Sequence, residues 1–360
     1  MTPPVENVSP RRGPMRPLLL CLLPLLIAGL PAMGRAEPPA SGAVRLIFDT
    51  DLGNDVDDSM ALSMIHALVS RGECELLAVT VTKDNEYAGR CVDLLNTFYG
   101  RGDTPIGTVR NGVTPDDGKY IRPVATAEDN GKLRYPHDLR SGGDAPEATG
   151  LLRKVLAAQP DRSVVIAQVG FSTNLARLLD SKPDDVSPLD GKALVARKVR
   201  LLSIMAGAYT DELRARRFRE YNIVRDLPAS SKLLAEWPTP IVASGWEIGN
   251  AIQHPAVSMQ DDYGYCRFHP LREAYHYYRG LTNDQPTYDL TSVLYAIRPD
   301  RNYFTLSQPG RIVVDKDGVT TFHPEPNGPH RYMTVTAEQI ARVKEAQAML
   351  CSQPPGRAAE

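Results

Sequence analysis

The sequence predicts an α/β fold: a mostly parallel central sheet with helices on both faces. Three observations carry that prediction. Short β-branched and apolar runs alternate with amphipathic helical patterns along most of the chain. Polar residues follow those runs, where ligands bind in an open parallel sheet. No internal repeat and no linker-like stretch divides residues 37–360, which therefore read as a single domain.

Residues 1–36 read as an address. Arg11, Arg12 and Arg16 precede an apolar stretch, residues 18–30, that is too short to span a bilayer comfortably. Gly34-Arg35-Ala36 then places small residues where a signal peptidase reads. The expectation is cleavage after Ala36, export to the periplasm or the medium, and no stable membrane insertion afterwards. Cys21 lies inside the apolar stretch rather than just after it, which argues against a lipoprotein. Pro38, Pro39, Ser41 and Gly42 make a short tether.

The fold then begins with a strand at 44–48 and a helix at 58–69, where Met60, Ala61, Met64, Ile65 and Leu68 recur at helical spacing. A second strand fits 76–81 and a helix follows around 86–99. Further strands fit 105–109, 163–169, 199–205 and 240–243, with helices near 147–158, 173–180 and 227–236. Residues 111–146, rich in Gly, Pro and Asp, read as a long surface loop or flap. Residues 311–320 suggest a hairpin turning at Asp317-Gly318, and 336–350 a closing helix.

A chain that is 42% hydrophobic and 23% charged is ordinary globular material, so disorder, collagen, coiled coil and a multi-span membrane protein are set aside. The formal net charge is −2, and four of the arginines lie in the first 36 residues, so the remainder is more acidic still. Nucleic acid has no general electrostatic reason to bind it. Five cysteines are too few for a disulfide scaffold, and their spacing does not suggest zinc. Export leaves either free buried thiols or one bridge, with Cys74 and Cys91 a candidate pair.

The chemistry is concentrated after the first strand. Asp49-Thr-Asp-Leu-Gly-Asn-Asp-Val-Asp-Asp58 puts five carboxylates in ten residues. Like charges packed this closely call for a countercharge, and a hard cation suits an all-oxygen donor set. An EF-hand loop does not fit, because Gly53 and Met60 fall where the wrong residue types are required. A haloacid-dehalogenase-like phosphatase also opens with two aspartates one residue apart. It does not normally continue as Leu52-Gly53-Asn54 followed by three more aspartates.

The stretch resembles the N-terminal signature of the inosine–uridine-preferring nucleoside hydrolase family, and four later segments resemble that family in the same order. The resemblance spans roughly residues 44–300. It implies Asp51 as a calcium ligand and the base for the attacking water, Asp57 as a ribose-hydroxyl contact and Asp58 as a bidentate calcium ligand. About two extra residues precede that pair, which leaves Asp55 without a family role. Thr82-Lys-Asp-Asn85 supplies Asn85 as a sugar contact, and Gln168-Val-Gly-Phe-Ser-Thr-Asn174 supplies the main-chain carbonyl of Val169 as a calcium ligand. Arg219-Glu-Tyr-Asn222 gives Glu220 and Asn222 at the ribose 5′ end, and Tyr288-Asp-Leu-Thr gives Asp289 as the last calcium carboxylate. The family usually has histidine where this chain has Tyr288.

The implied activity is calcium-dependent hydrolysis of the N-glycosidic bond of a ribonucleoside or related N-riboside, by water attack with inversion. A non-catalytic exported nucleoside- or sugar-binding module is the alternative, with the phosphatase behind it. The implied partner is a small-molecule nucleoside or riboside, with a homo-oligomer left open. Trp246 and the Tyr275-His-Tyr-Tyr278 run are candidates for a base pocket, His137 for a leaving-group acid, His66 for a structural role, and Arg214, Arg216, Arg217 and Arg219 for a solvated basic face.

Overall fold

Val44–Thr50 distributes its side chains between two cores. Leu46 and Phe48 enter an apolar cluster with Met60, Met64 and Leu290, and Ile47 enters another with Leu156, Ile166 and Leu202. Successive strand residues face opposite ways, so a strand covered on both sides must be apolar throughout. That is why this element is legible as a run.

The computed structural model describes Met1 and residues 42–356, so the expected signal segment and Cys21 lie outside the described residues. Its central sheet is mixed and ten-stranded. From one edge it runs Thr320–Pro324, Gly310–Val314, His330–Thr334, Ile241–Ser244, Val199–Met205, Val164–Gln168, Val44–Thr50, Cys74–Lys83 and Ile106–Val113, with Thr305–Leu306 pairing beside His330–Thr334. The seven strands from His330–Thr334 to Ile106–Val113 are parallel, and the hairpin and the short strand are antiparallel. Helices Asp57–Ser70, Ala88–Phe98, Tyr288–Ile297 and Ala337–Cys351 contribute to the first core. Helices Ala148–Ala158, Thr173–Asp180, Gly191–Lys198 and Leu227–Glu236 contribute to the second.

Each strand expected from the sequence is present to within a few residues. The strand His330–Thr334 was not expected, because His-Arg-Tyr-Met-Thr offers no apolar run; it is placed by pairing parallel to Ile241–Ser244. The expected hairpin is formed, with Asp315 accepting the amides of Asp317 and Val319 and Gly318 at φ 87°.

Residues 111–146, expected as a long surface loop or flap, carry short elements of their own. They contain the helix Ile121–Ala125, a pairing of Glu128–Asp129 with Lys132–Leu133, and a 3-10 turn at Gly142–Asp144. Arg134 binds Glu273 at 2.9 Å, and Asp93 accepts the amides of Asp138 and Leu139, both at 2.8 Å. Of the two outcomes left open for the cysteines the thiols are found: Cys74, Cys91, Cys266 and Cys351 are all free, and Cys91 donates to the Ile121 carbonyl. Among the described residues no helix is long and apolar enough to cross a membrane.

Candidate functional site

The carboxyl ends of the central strands open onto one cavity of about 290 Å³, near the lower end of the ~300–1,000 Å³ typical of small-molecule sites. Asp51, Asn54, Asp55, Asp58 and Asp289 make its acidic side, Val169, Met205, Glu220 and Asn222 its sheet side, and Tyr221, Trp246, Tyr278 and Tyr288 its aromatic side.

The first strand ends at Thr50, and the chain turns through residues 51–56 into the helix Asp57–Ser70. Asp57 and Asp58 occupy that helix's first turn, where the exposed amides of a helix favour negative charge. Asp49 is aimed away from the cavity and accepts from Thr80 Oγ1 at 2.5 Å and Asn174 Nδ2 at 2.9 Å. Asn174 also donates to the Val81 carbonyl at 3.3 Å, so the Ser-Thr-Asn segment clamps neighbouring strand ends together. Gly170 permits that approach: a Cβ there would lie 2.4 Å from the Asp51 amide nitrogen. The close approach seats Val169 on the cavity wall beside Asp51.

Four buried or half-buried carboxylates, Asp55, Asp57, Asp58 and Asp289, each offer an oxygen to a group lying within 4.8 Å of one another. Burial, reinforced by the neighbouring carboxylates, holds Asp58 and Asp289 well above the ordinary aspartate range. Burial and Asp51 push Asp55 up to about 8. Asp51 is raised less, to about 6, because Asn54 and Lys83 oppose the burial. One oxygen of Asp57 and one of Asp49 are buried without a hydrogen-bond partner. An unpartnered Asp57 oxygen among gathered carboxylates fits a cation, and a bound divalent ion would reverse these shifts. The oxygen-only donor set can hold a hard metal ion.

On the opposite wall Glu220 caps the short helix Tyr221–Arg225 and accepts the amides of Asn222 at 2.9 Å, Ile223 at 3.0 Å and Gly207 at 3.3 Å. Burial nevertheless pushes Glu220 up to about 7. Asn222 Nδ2 donates to the Val169 carbonyl at 2.7 Å. Trp246 stacks on Tyr288 at 6.2 Å, with Phe218 4.9 Å behind it.

The structure therefore gathers Asp51, Asp58, Val169, Glu220, Asn222 and Asp289 around one space. It does not gather two others. Asn85 turns away, donating to the Pro115 carbonyl at 2.9 Å and to Asp117 at 3.0 Å while accepting the Tyr87 amide, so its carboxamide is committed to the 111–146 segment and not to the cavity. Asp57 belongs to the carboxylate group but not to the cavity wall; it accepts the Asp289 amide at 3.1 Å, and Asp55 stands on the wall instead.

His137 is also away from the cavity. Its Nδ1 bonds the Tyr135 carbonyl at 2.8 Å, and its Nε2 accepts from Arg90 at 3.3 Å. His66 is buried against Tyr99 and bonds Asn96 at 2.8 Å, the structural role expected of it. Tyr275 is core, whereas Trp246 and Tyr278 do line the site. Arg214, Arg216 and Arg217 pair with surface carboxylates, as a solvated face would. Sequence reasoning missed Asn54, Tyr221 and Met205 on the wall and Lys83 behind it. The available signal for Lys83 was a lysine at the carboxyl end of a strand, where site residues gather.

Among curated proteins none matches the chain. Among solved structures it is similar to a plant nucleoside hydrolase, the PpNRh1 enzyme, with 18% identity, a TM-score of 0.62 and coverage of 88% of this chain and 100% of that one. It is similar to a purine-preferring ribonucleoside hydrolase from Gardnerella vaginalis, with 17% identity, a TM-score of 0.64 and coverage of 86% and 98%. The inosine-uridine-preferring nucleoside hydrolase from Bacillus anthracis gives 16% identity, a TM-score of 0.60 and coverage of 85% and 99%. These likenesses establish a shared fold. The sequence model described as "Inosine-uridine preferring nucleoside hydrolase" matches residues 46–349. A match of that extent, over the segment that builds the acidic cavity, makes the chain a member of the inosine–uridine-preferring nucleoside hydrolase family, N-ribohydrolases acting on small-molecule nucleosides.

Proposed function

We propose that the protein is a calcium-dependent N-ribohydrolase in which water displaces the leaving group directly, inverting the anomeric carbon. The observation that carries this reading is the convergence of Asp51, Asp58, Asp289 and Val169 on one cavity. Calcium suits them because it takes six to eight oxygen ligands, from carboxylates and carbonyls alike. Held there, it would supply Lewis acidity to a water and a grip on vicinal ribose hydroxyls.

Asp51 takes the proton from the attacking water. Its reach is set by Asn54, which donates to it at 2.6 Å and holds the carboxylate toward the cavity. Asp55 takes the ribose contact that family resemblance assigned to Asp57. Glu220 and Asn222 hold the far end of the ribose, their backbone fixed by the capped turn. Orientation of this kind converts binding energy into a lower barrier. The aromatic side excludes water and offers faces on which a base can stack. Export after cleavage at Ala36 belongs to the same proposal, and N-terminal sequencing of the exported protein tests it.

Leaving-group chemistry follows from Tyr288. Burial pushes its phenol up to about 12, so it is a poor proton donor at neutral pH. Activated aryl ribosides are expected to be cleaved much faster than inosine, and Tyr288→Phe to change either rate by less than about threefold, a small fraction of what general acid catalysis supplies. A panel of ribosides assayed for reducing sugar, with and without calcium, tests both the activity and this preference. Equal rates for inosine and a nitrophenyl riboside, with chemistry rate-limiting, would refute the preference. Binding of ribosides without release of sugar would replace the enzyme with a binding module.

Asn85→Ala is expected to leave KM within about twofold of wild type while lowering stability by about 1 kcal/mol, the worth of an ordinary hydrogen bond. Steady-state kinetics and thermal melting check this together, and a tenfold rise in KM would return Asn85 to the sugar.

A further inference from the structure

The structure assigns Lys83 as a positioning residue for Asp51, acting through the carboxamide of Asn54. The assignment rests on the reading of Asp51 as the base. Lys83 closes the second strand, and its side chain is 0% exposed. A buried ammonium is costly unless it is well paired. Its charged neighbour, Asp116, is 3.6 Å away and 69% exposed, a weak countercharge. The better contact is neutral: Lys83 Nζ donates to Asn54 Oδ1 at 2.8 Å. Asn54 Nδ2 in turn donates to Asp51 Oδ2 at 2.6 Å, at the edge of the cavity.

The chemistry of the three groups gives this chain a direction. An ammonium can only donate, so it accepts no orientation of Asn54 except the one that presents Oδ1. That leaves the NH₂ end for Asp51. Without Lys83 the carboxamide is free to turn its oxygen toward the carboxylate, which would repel it. Lys83 is fixed from the other side as well. Its stem packs near Gly53, where a Cβ would meet Lys83 Cδ at 3.1 Å. Gly118, at φ 58°, rides so close over Gly53 that a Cβ would fall 2.1 Å from the Gly53 carbonyl oxygen. Tyr120 completes the strap by donating to the Asp55 carbonyl at 2.8 Å. The 111–146 segment thus covers the lysine and the turn that carries Asn54.

Two variants and one spectroscopic signal test the assignment. At saturating calcium, Lys83→Met is expected to lower kcat at least about tenfold, the scale of a misplaced catalytic group, with KM within about threefold. Asn54→Ala should do the same, and the double variant should be no worse than the worse single one, since both cut one chain of contacts. In ¹⁵N-labelled wild-type protein the Lys83 ammonium should give a slowly exchanging signal that Asn54→Ala shifts or removes. The ammonium signal needs no activity and no Lys83 variant, so it decides the Lys83–Asn54 link even where Lys83→Met does not fold. Wild-type kcat in Lys83→Met, multiplicative losses in the double variant, or an ammonium signal indifferent to Asn54→Ala would each overturn the assignment. Absence of turnover in the wild type would instead overturn the reading of Asp51 on which it rests.

Discussion

Asp51→Ala is expected to abolish riboside hydrolysis, lowering kcat by at least about 10³-fold, because one side chain serves two functions. A positioned general base contributes about 10²–10⁴-fold. The same carboxylate stands among the oxygens proposed to hold calcium, so its loss also loosens the ion. Asp51→Asn separates the two contributions: it keeps a coordinating oxygen and removes the base. Asp51→Asn should therefore bind calcium measurably by calorimetry while remaining as inactive as Asp51→Ala. Reducing-sugar release at saturating calcium is the measurement. Activity above about one tenth of wild type in either variant would remove Asp51 from the base role, since that factor lies well below what general base catalysis supplies.

The second large effect is on stability. In chelator-stripped protein, burial holds Asp51 at about 6 and Asp55 at about 8, against an ordinary value of 3.8. Asp58 and Asp289 are raised well above that value by burial, with Asp51 and Asp55 adding to it at Asp58 and Asp58, Asp55 and Asp51 at Asp289. Between the unfolded and folded values the native state binds protons that the unfolded chain has released. Stability is thus fully present near pH 4 and is lost as pH rises toward about 8. A divalent cation takes the place of those protons, so adding calcium should flatten or reverse the decline. At a calcium concentration a thousand times Kd, the gain is about 4 kcal/mol. Asp58→Ala should keep less than about 1 kcal/mol of that gain, a residual affinity too weak for appreciable linkage. Thermal melts from pH 4 to pH 8, with calcium and with chelator, check the sign and the size. A calcium-free protein whose stability rises across that window would mean that the carboxylates are not held close together in solution.

Much of the architecture is present in local sequence. The strands buried on both faces are continuous apolar runs, as at Leu46-Ile-Phe48 and Val164-Val-Ile-Ala167, and no partner is needed to recognise them. The amphipathic helices carry their own spacing. The acidic turn identifies itself, since five aspartates in ten residues call for countercharge or donors. By contrast His330–Thr334 is a strand through its partners, Ile241–Ser244 above all, and residues 111–146 are tied down by Arg134–Glu273 and Asp93, partners far away in the chain.

The sequence by itself determined the fold class, the strand ends at which the chemistry sits, and the residue types available there. Which aspartate faces the cavity was decided by the tertiary structure: Asp55 lines it, while Asp57, in the same carboxylate group, is turned to the Asp289 amide. Tertiary contacts also turned Asn85 toward Pro115 and Asp117, and brought Asn54 under the control of Lys83. A side chain's type is local, but its direction depends on the groups that reach it through space. At this site those groups lie from 29 residues away in sequence, as Lys83 does from Asn54, to 232, as Asp289 does from Asp57.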